Sequence, residues 1–481
     1  MDILGDLAKK IGLMLYVVDS KEILSEASNF VRDFIKKLGY LWYFMNPNDH
    51  AFETVDKVPD YYKEVTPAFI FVIILEQVLH FVRGKKLMRL NDSVTNISQG
   101  ILIEIFKIPV RGAELLLYTW IYNNWRLHAL PWDSPWTWLT CMITTDFLFY
   151  WMHRATHQCS ILWQFHEPHH SSEDFNLTTP LRLSIVTSCT MWLTYIPMAF
   201  FIPPSVFLVH YQLNVIFQYW LHSEYIPRLG VLEYVFVTPS HHRVHHGRNR
   251  WCIDKNFGSI FILWDRLFGT FEPERNTKIV YGVTTPLRTF SPIQIQTGVL
   301  QNIWHRFKTV EGLSNKLSVI FKGPGWKPGT SWLGRLEDVP EPREDEPKYD
   351  PQLPMWLEIY VSFHTGALVI GYLQLILNLS MVSAWTLTLS SLFIILTTIS
   401  IGCLLDLSSS APILEIIRCP LYFILDTIIQ REFQRSFTIL YLSMYGFRSL
   451  FLASFVFWIL ACPFTKKLQI SNVMQKKLAI N

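Results

Sequence analysis

The sequence predicts an all-α fold, a polytopic integral membrane helical bundle with a histidine-rich metal site at its cytosolic membrane edge. Half of the 481 residues are hydrophobic and 17% are charged, whereas about a quarter of the residues of a typical soluble domain are charged. Two long runs, 183–223 and 359–405, contain no Asp, Glu, Lys or Arg. Eleven of the 16 histidines lie between His153 and His246. The first two observations predict membrane helices, and the third predicts the metal site.

The N-terminal part divides into an arm, predicted for 1–64, and membrane segments, predicted for 65–135. Residues 65–82 are apolar and nearly reach the 20 or so residues that span a bilayer. Basic residues follow at once, which predicts a cytosolic end. Residues 101–122 are a weaker candidate, because charged side chains recur on them and an interfacial helix explains them as well. No N-terminal signal peptide is visible.

A catalytic domain is predicted for 136–290. Its charge-free run, 183–223, is divided by Pro203 and Pro204, which predicts a helical hairpin that crosses the membrane twice or dips in and returns. A polar linker is predicted for 291–354. A C-terminal transmembrane region is predicted for 355–465, with two spans in 359–405 and a further apolar segment at 436–465. A tail is predicted for 466–481. Five to nine membrane segments are predicted in total.

Charge and cysteine usage exclude two classes of protein. The formal net charge is +3, and no basic block is interleaved with aromatic residues, so nucleic acid is not expected as a partner. The seven cysteines are an odd number and form no CxxC pair, which argues against a disulfide framework. We expect reduced cysteines in an apolar interior.

Three ordered motifs account for most of the clustered histidines. One HxxxH motif is followed by two HxxHH motifs, and the motif histidines are His153, His157, His166, His169, His170, His242, His245 and His246. Residues three or four apart share one face of a helix. Neutral imidazole suits iron, zinc, copper or nickel. Eight ligands exceed what one tetrahedral metal uses, so two metal ions are the simplest prediction.

Outside the motifs, His222 is predicted as a ninth ligand, because it lies where the charge-free run meets the polar region. His210 is predicted to be structural, and His241 is left open. Asp146 lies two helical turns before His153 and could accept a hydrogen bond from a ligand imidazole; a buried acid at the bilayer edge explains it equally well. Glu173 is the second candidate catalytic acid, with an exposed turn as its alternative.

The sequence HEPHH also satisfies the HExxH pattern of zinc proteases, in which Glu167 would be the general base. That mechanism needs one regular helix, and Pro168 is tolerated only in the first turn of a helix. A protease would also leave the other two motifs without a role. A membrane zinc protease is therefore the least favoured alternative.

The order of the three motifs among apolar segments resembles the fatty acid hydroxylase superfamily of membrane non-haem di-iron oxygenases, which includes sterol desaturases. The surrounding stretches FYWMHRATH, HHSSEDFNLTT and TPSHHRVHHGRNRWCIDKNFG are similar to the alkylglycerol monooxygenase family within it. The resemblance is dense from about Asp146 to Phe290. Beyond Phe290 only the hydrophobic layout agrees.

The resemblance implies a di-iron centre, held by the eight motif histidines and His222, that uses O2 and tetrahydrobiopterin to cleave alkylglycerol ethers to a fatty aldehyde and glycerol. It also implies an endoplasmic reticulum membrane location, histidines facing the cytosol and a functionally linked pterin-recycling enzyme. Gln158 replaces an acid that usually follows the first motif in the family. No pterin-binding residue is indicated. The main alternative is a sterol or fatty-acyl hydroxylase or desaturase that uses cytochrome b5.

Overall fold

The computed structural model describes residues 20–84, 87–110, 112–432 and 445–461. The all-α prediction is confirmed, because extended structure in these residues is limited to two isolated bridges. The predictions for 1–19, 436–444 and 466–481 lie outside the described residues. The described helices of eight or more residues are α1 (Ser20–Gly39), α2 (Tyr61–Val82), α3 (Leu90–Lys107), α4 (Ala113–Trp125), α5 (Pro135–Gln158), α6 (Pro204–Phe217), α7 (Pro239–His246), α8 (Pro292–Thr309), α9 (Leu313–Phe321), α10 (Met355–Leu377), α11 (Ala384–Leu405), α12 (Ala411–Glu432) and α13 (Tyr445–Ala461).

Within the described residues, three segments are long and apolar enough to cross a membrane: Val55–Val82, Met355–Leu377 and Ala384–Leu405. They contain the predicted spans at 65–82 and 359–405, so the multi-pass prediction is confirmed. Many of their apolar side chains are exposed, as expected for helices that face lipid tails. Among the described residues, α13 is a shorter apolar helix.

In the part of the chain that the structure describes, two predicted membrane segments do not form long apolar helices. Residues 101–122 are divided between the end of α3 and α4. The run 183–223 forms a short helix, a 3-10 segment (Met191–Phe200) and α6. The 14 residues of α6 are about 21 Å long, less than the hydrocarbon core of about 30 Å. A full crossing by α6 alone is therefore not expected, and a hairpin that dips in and returns stays the prediction for this run. The buried packing of α6 in protein is compatible with its lack of charge.

The N-terminal helices pack on the catalytic domain through α6. Tyr61 and Val65 of α2 share a buried cluster with Val209 and Leu213 of α6. His210 of α6 contacts the hydroxyl of Tyr43, which agrees with its predicted structural role. The described cysteine side chains are free, as predicted.

The C-terminal helices are joined to the catalytic domain by a close contact near the end of α11. Asp406 accepts hydrogen bonds from the Thr289 hydroxyl (2.6 Å) and the Phe290 N–H (2.8 Å). A Cβ atom on Gly402 would lie 2.7 Å from the Phe290 carbonyl oxygen, so only glycine permits this approach. Leu357, Val361 and Ile401 pack with α3 in the same core. The C-terminal spans α10 and α11 are therefore packed firmly against the catalytic domain and α3.

Candidate metal centre

The structure brings all nine predicted ligand histidines together, and all are largely buried. Helix α5 carries the first motif, a four-residue helix (Glu167–His170) and the residue before it carry the second, and α7 carries the third. The imidazole nitrogens form two groups, within each of which they lie within 4.8 Å of one another. The first group is His153, His157, His166, His170 and His245; the second is His169, His222, His242 and His246. His241 and His210 belong to neither group.

The two HxxHH motifs are shared between the groups. His166 and His170 join the first group, whereas His169 joins the second. In the third motif, His245 joins the first group and its two motif partners join the second. The histidines of each trio are therefore not all in one group, although they are only three or four residues apart. Each trio instead bridges two neighbouring sites.

Backbone carbonyls fix the orientation of four ligand rings, two in each group. In the first group, His153 Nδ1 lies 2.8 Å from the Phe257 carbonyl oxygen and His245 Nδ1 lies 2.9 Å from that of Lys255. In the second group, the corresponding partners are the carbonyls of Arg182 for His169 (3.1 Å) and of Gln218 for His222 (3.0 Å). A carbonyl only accepts, so each Nδ1 donates and each neutral ring keeps a bare Nε2.

The bare nitrogens face each other, and the distances between them show whether a metal ion would fit. His222 Nε2 lies 3.1 Å from His169 Nε2, and both are acceptors, so no hydrogen bond can join these neutral rings. A cation between them removes the repulsion. Two nitrogens about 2.1 Å from one metal and at right angles are about 3.0 Å apart. The His242 and His222 pair (3.0 Å) agrees with this spacing too. The residues present therefore fit a metal in the second group.

The first group shows the same spacing. His153 Nε2 lies 2.8 Å from His166 Nε2, and His170 Nε2 lies 3.0 Å from His245 Nε2. Burial lowers the pKa of His245 to about 4, and burial lowers the pKa of His169 in the second group to about 3. Both rings are therefore neutral at physiological pH, the form that binds metal. Burial also raises the pKa of Glu167 to about 8.

Asp146 and Glu173, the predicted catalytic acids, lie behind the ligands. Asp146 accepts hydrogen bonds from the Ile260 N–H (2.7 Å), the Phe261 N–H (3.1 Å) and the Trp264 indole (2.8 Å). These donors occupy the carboxylate, so the prediction that it accepts from a ligand imidazole is wrong. It holds the segment that follows Phe257, whose carbonyl orients His153.

Glu173 accepts a hydrogen bond from the Tyr349 N–H (2.6 Å) and lines a polar cavity beside the second histidine group. Its side chain is thus tied to the linker, and its catalytic role remains a prediction.

Sequence reasoning missed three side chains that act on the ligands. Asp254 Oδ1 lies 3.4 Å from His157 Nδ1. Asp265 accepts from the N–H of Phe257 (2.7 Å) and fixes the carbonyl that orients His153. Arg182, which orients His169 through its carbonyl, forms a buried salt bridge with Asp92 (2.8 Å). The polar residues of α3, among them Asp92, could have indicated such a partner in the sequence. Buried polar groups in an apolar region are nearly always hydrogen-bonded.

Replacing Asp254 with glycine is expected to lower the metal affinity of the first group about tenfold to a hundredfold, since outer-shell partners of ligand histidines have effects of this size. Glycine suits the backbone there, which has a φ of 56°. Metal titration of the purified protein measures the change. Asp254→Asn keeps an acceptor oxygen and is the matched control; equal losses in both variants would contradict the role of that oxygen.

The fold and the site define a helical membrane protein with nine largely buried histidines in two groups that fit metal ions. The fatty acid hydroxylase family model matches residues 138–270, and the model of the alkylglycerol monooxygenase C-terminal domain matches residues 357–447. The alkylglycerol monooxygenase of Homo sapiens is 46% identical over 376 residues, which are 78% of this chain and 84% of the human protein. The chain belongs to the alkylglycerol monooxygenase family.

More distant relatives agree with this assignment. The alkylglycerol monooxygenase of Caenorhabditis elegans is 37% identical over 387 residues, covering 76% of this chain and 77% of the worm protein. Lathosterol oxidase of Mus musculus is 30% identical over 184 residues, covering 35% of this chain and 55% of the mouse protein. No solved structure matches the chain. The protein is therefore an oxidoreductase of the monooxygenase class, and its histidine groups fit an iron centre.

Proposed function

We propose that this protein is a tetrahydrobiopterin-dependent monooxygenase that cleaves the ether bond of 1-O-alkylglycerol lipids to a fatty aldehyde and glycerol. The observation that carries the proposal is the arrangement of bare, buried imidazole nitrogens in a group of five and a group of four. Similarity to alkylglycerol monooxygenases over most of the chain supports the substrate class.

Two irons are proposed because each histidine group is sufficient for one ion. The rings of His170 and His246, one from each group, are stacked with centroids 4.3 Å apart, so the two sites are immediate neighbours. The five histidines of the first group would hold one iron and the four of the second group would hold the other, and together the irons would supply the redox chemistry that activates O2.

When bound, iron and pterin supply two electrons and two protons, so that one oxygen atom of O2 enters a C–H bond of the ether-linked carbon and the other leaves as water. The resulting hemiacetal breaks its C–O bond as the new hydroxyl proton passes to the glycerol oxygen. The protein excludes bulk water with aromatic walls. The Trp163 ring lies 4.9 Å from His157, and the Phe175 ring lies 5.3 Å from His246.

The proposed location is the endoplasmic reticulum membrane, with the histidines on the cytosolic side. The basic residues that follow α2 support the orientation, because positive charge is enriched on cytosolic flanks. A long-chain ether lipid stays in the bilayer, so a site held at the ends of membrane helices receives it from the side. A pterin-recycling enzyme is the proposed functional partner.

The sterol or fatty-acyl alternative is less well supported. The match to lathosterol oxidase covers 35% of this chain, whereas the alkylglycerol monooxygenase relatives extend over more than three quarters of it. A zinc protease is disfavoured by the family assignment.

A direct assay supplies the test. Purified protein in lipid nanodiscs receives a labelled alkylglycerol with and without tetrahydrobiopterin, and the fatty aldehyde is measured together with bound iron. We expect aldehyde only with the pterin, and about two irons per chain. Turnover of a sterol or acyl lipid with cytochrome b5, without aldehyde from the alkylglycerol, would overturn the proposal.

A further inference from the structure

A polar cavity of about 540 Å³ lies beside the second histidine group. Its volume is in the range of about 300–1,000 Å³ that is typical of small-molecule sites. Loops of the catalytic domain form one wall, and Glu344, Glu346, Pro347 and Lys348 of the linker contribute to the lining. Thr277 and Lys278 line the cavity and are exposed, so it is accessible from water. A water-soluble ligand is therefore better suited to it than a membrane lipid.

The cavity is connected to the metal ligands by direct ring contacts. Tyr281 lines the cavity and stacks on Phe175, with ring centroids 4.9 Å apart. The Phe175 ring lies 5.4 Å from His222 and 5.3 Å from His246. Arg243, another lining residue, lies between two ligand histidines on α7. A molecule in the cavity is thus separated from the second group by about the thickness of two aromatic rings.

Two arginines of the cavity wall are already paired. Arg243 forms a two-pronged salt bridge with Glu274 (2.7 Å for both contacts), and Arg248 contacts Glu346 (3.0 Å). In contrast, neither Glu173 nor Glu224 forms a salt bridge among the described residues. The wall therefore holds fixed carboxylates with remaining capacity to accept hydrogen bonds.

One donor in the wall is buried without a partner. Arg248 is 7% exposed, and its Nε has no hydrogen-bond partner in the described structure. Burial raises the pKa of Glu173, and the positive charges of Arg89 and Arg248 act in the opposite direction, so Glu173 and Arg248 influence each other. An unpaired buried donor has a free-energy cost that a ligand with an acceptor oxygen would remove.

We propose, on the basis of the proposed function, that this cavity binds the reduced pterin, with Glu173 accepting from its amino-pyrimidine edge and Arg248 Nε donating to its ring oxygen. The edge of a pterin carries adjacent N–H donors that match a carboxylate, next to a carbonyl oxygen that matches a guanidinium. The cavity offers both partners, is open to water and is connected to the second histidine group through the Tyr281 and Phe175 rings. The proposal gives Glu173 a binding role and makes the linker part of the active site.

Anaerobic equilibrium binding of tetrahydrobiopterin to the iron-loaded, full-length protein in nanodiscs tests the proposal. Glu173→Gln and Arg248→Gln are each expected to raise the Kd for the pterin about tenfold to a hundredfold, the usual effect of losing a charge-assisted hydrogen bond. Bound iron is expected to stay unchanged. Glu337→Gln and Arg335→Gln, at exposed linker positions outside the cavity, are matched controls that should bind as the wild type does.

Thr277→Trp is a second variant that leaves the buried wall intact. Because Thr277 is exposed at the cavity, a large ring there should obstruct entry without affecting folding, and the pterin Kd should rise. Wild-type Kd values in all three variants would overturn the pocket assignment while leaving pterin dependence in place. A raised KM for the alkylglycerol with an unchanged pterin Kd would also overturn it. Absence of pterin binding to the wild type would overturn both the pocket and the proposed function.

Discussion

Replacing His222 with alanine is expected to remove one iron per chain and to abolish turnover. The second group has four nitrogens, and His222 Nε2 lies 3.1 Å from His169 and 3.0 Å from His242, so its loss leaves three ligands and an open side. His157→Ala leaves four nitrogens in the first group. We therefore expect His157→Ala to retain more iron than His222→Ala, although both reduce activity.

Iron per chain, measured by elemental analysis after purification, and aldehyde formation are the two measurements. His305→Ala is a control for expression and handling, because His305 is exposed on α8. His241→Ala is the closer control, since His241 neighbours the third motif and belongs to neither group. Full iron content with normal turnover in His222→Ala would show that His222 is not a ligand. Equal iron loss in His241→Ala would show that the second group of ligand histidines has been assigned incorrectly.

The ligand histidines could be predicted because their spacing is local. An i, i+3 or i+4 relation on a helix depends on a few residues of sequence. The division of each HxxHH motif between two groups could not be predicted in this way, because it depends on which way each ring is turned. His153 is turned by a carbonyl at Phe257, 104 positions away. Sequence reasoning has no access to that partner.

The partners of Asp146 and the surroundings of α6 could not be predicted for the same reason, because both depend on residues that are distant in the sequence. Asp146 lies on α5 two turns before His153, yet the amides of Ile260 and Phe261 occupy its carboxylate. The composition of α6 suits a lipid-facing helix and a protein-buried helix equally well. Only the packing of Leu213 and its neighbours against α2 distinguishes them. The all-α membrane architecture was predictable from composition, whereas the depth of each segment was not.

Replacing Asp92 with alanine is expected to lower the free energy of unfolding by about 3–5 kcal/mol, because it leaves the Arg182 charge buried without its partner. The two side chains are 2% and 3% exposed and lie 2.8 Å apart. Asp92 also accepts from the Ser172 hydroxyl (2.6 Å), next to the second histidine motif. Since the Arg182 carbonyl orients His169, the variant should also bind less iron in the second group.

The thermal unfolding midpoint, recorded at one scan rate in the same detergent, measures the loss. Asp338→Ala is the matched control: Asp338 pairs with Lys327 at 3.1 Å, but both side chains are exposed and the change should be within about 1 kcal/mol. Asp92→Ala combined with Arg182→Met removes the stranded charge, so the double variant should cost less than the sum of the single changes. A cost equal to that sum would mean that the two residues stabilise the fold independently. In that case α3 would act on the iron site by some contact other than this salt bridge.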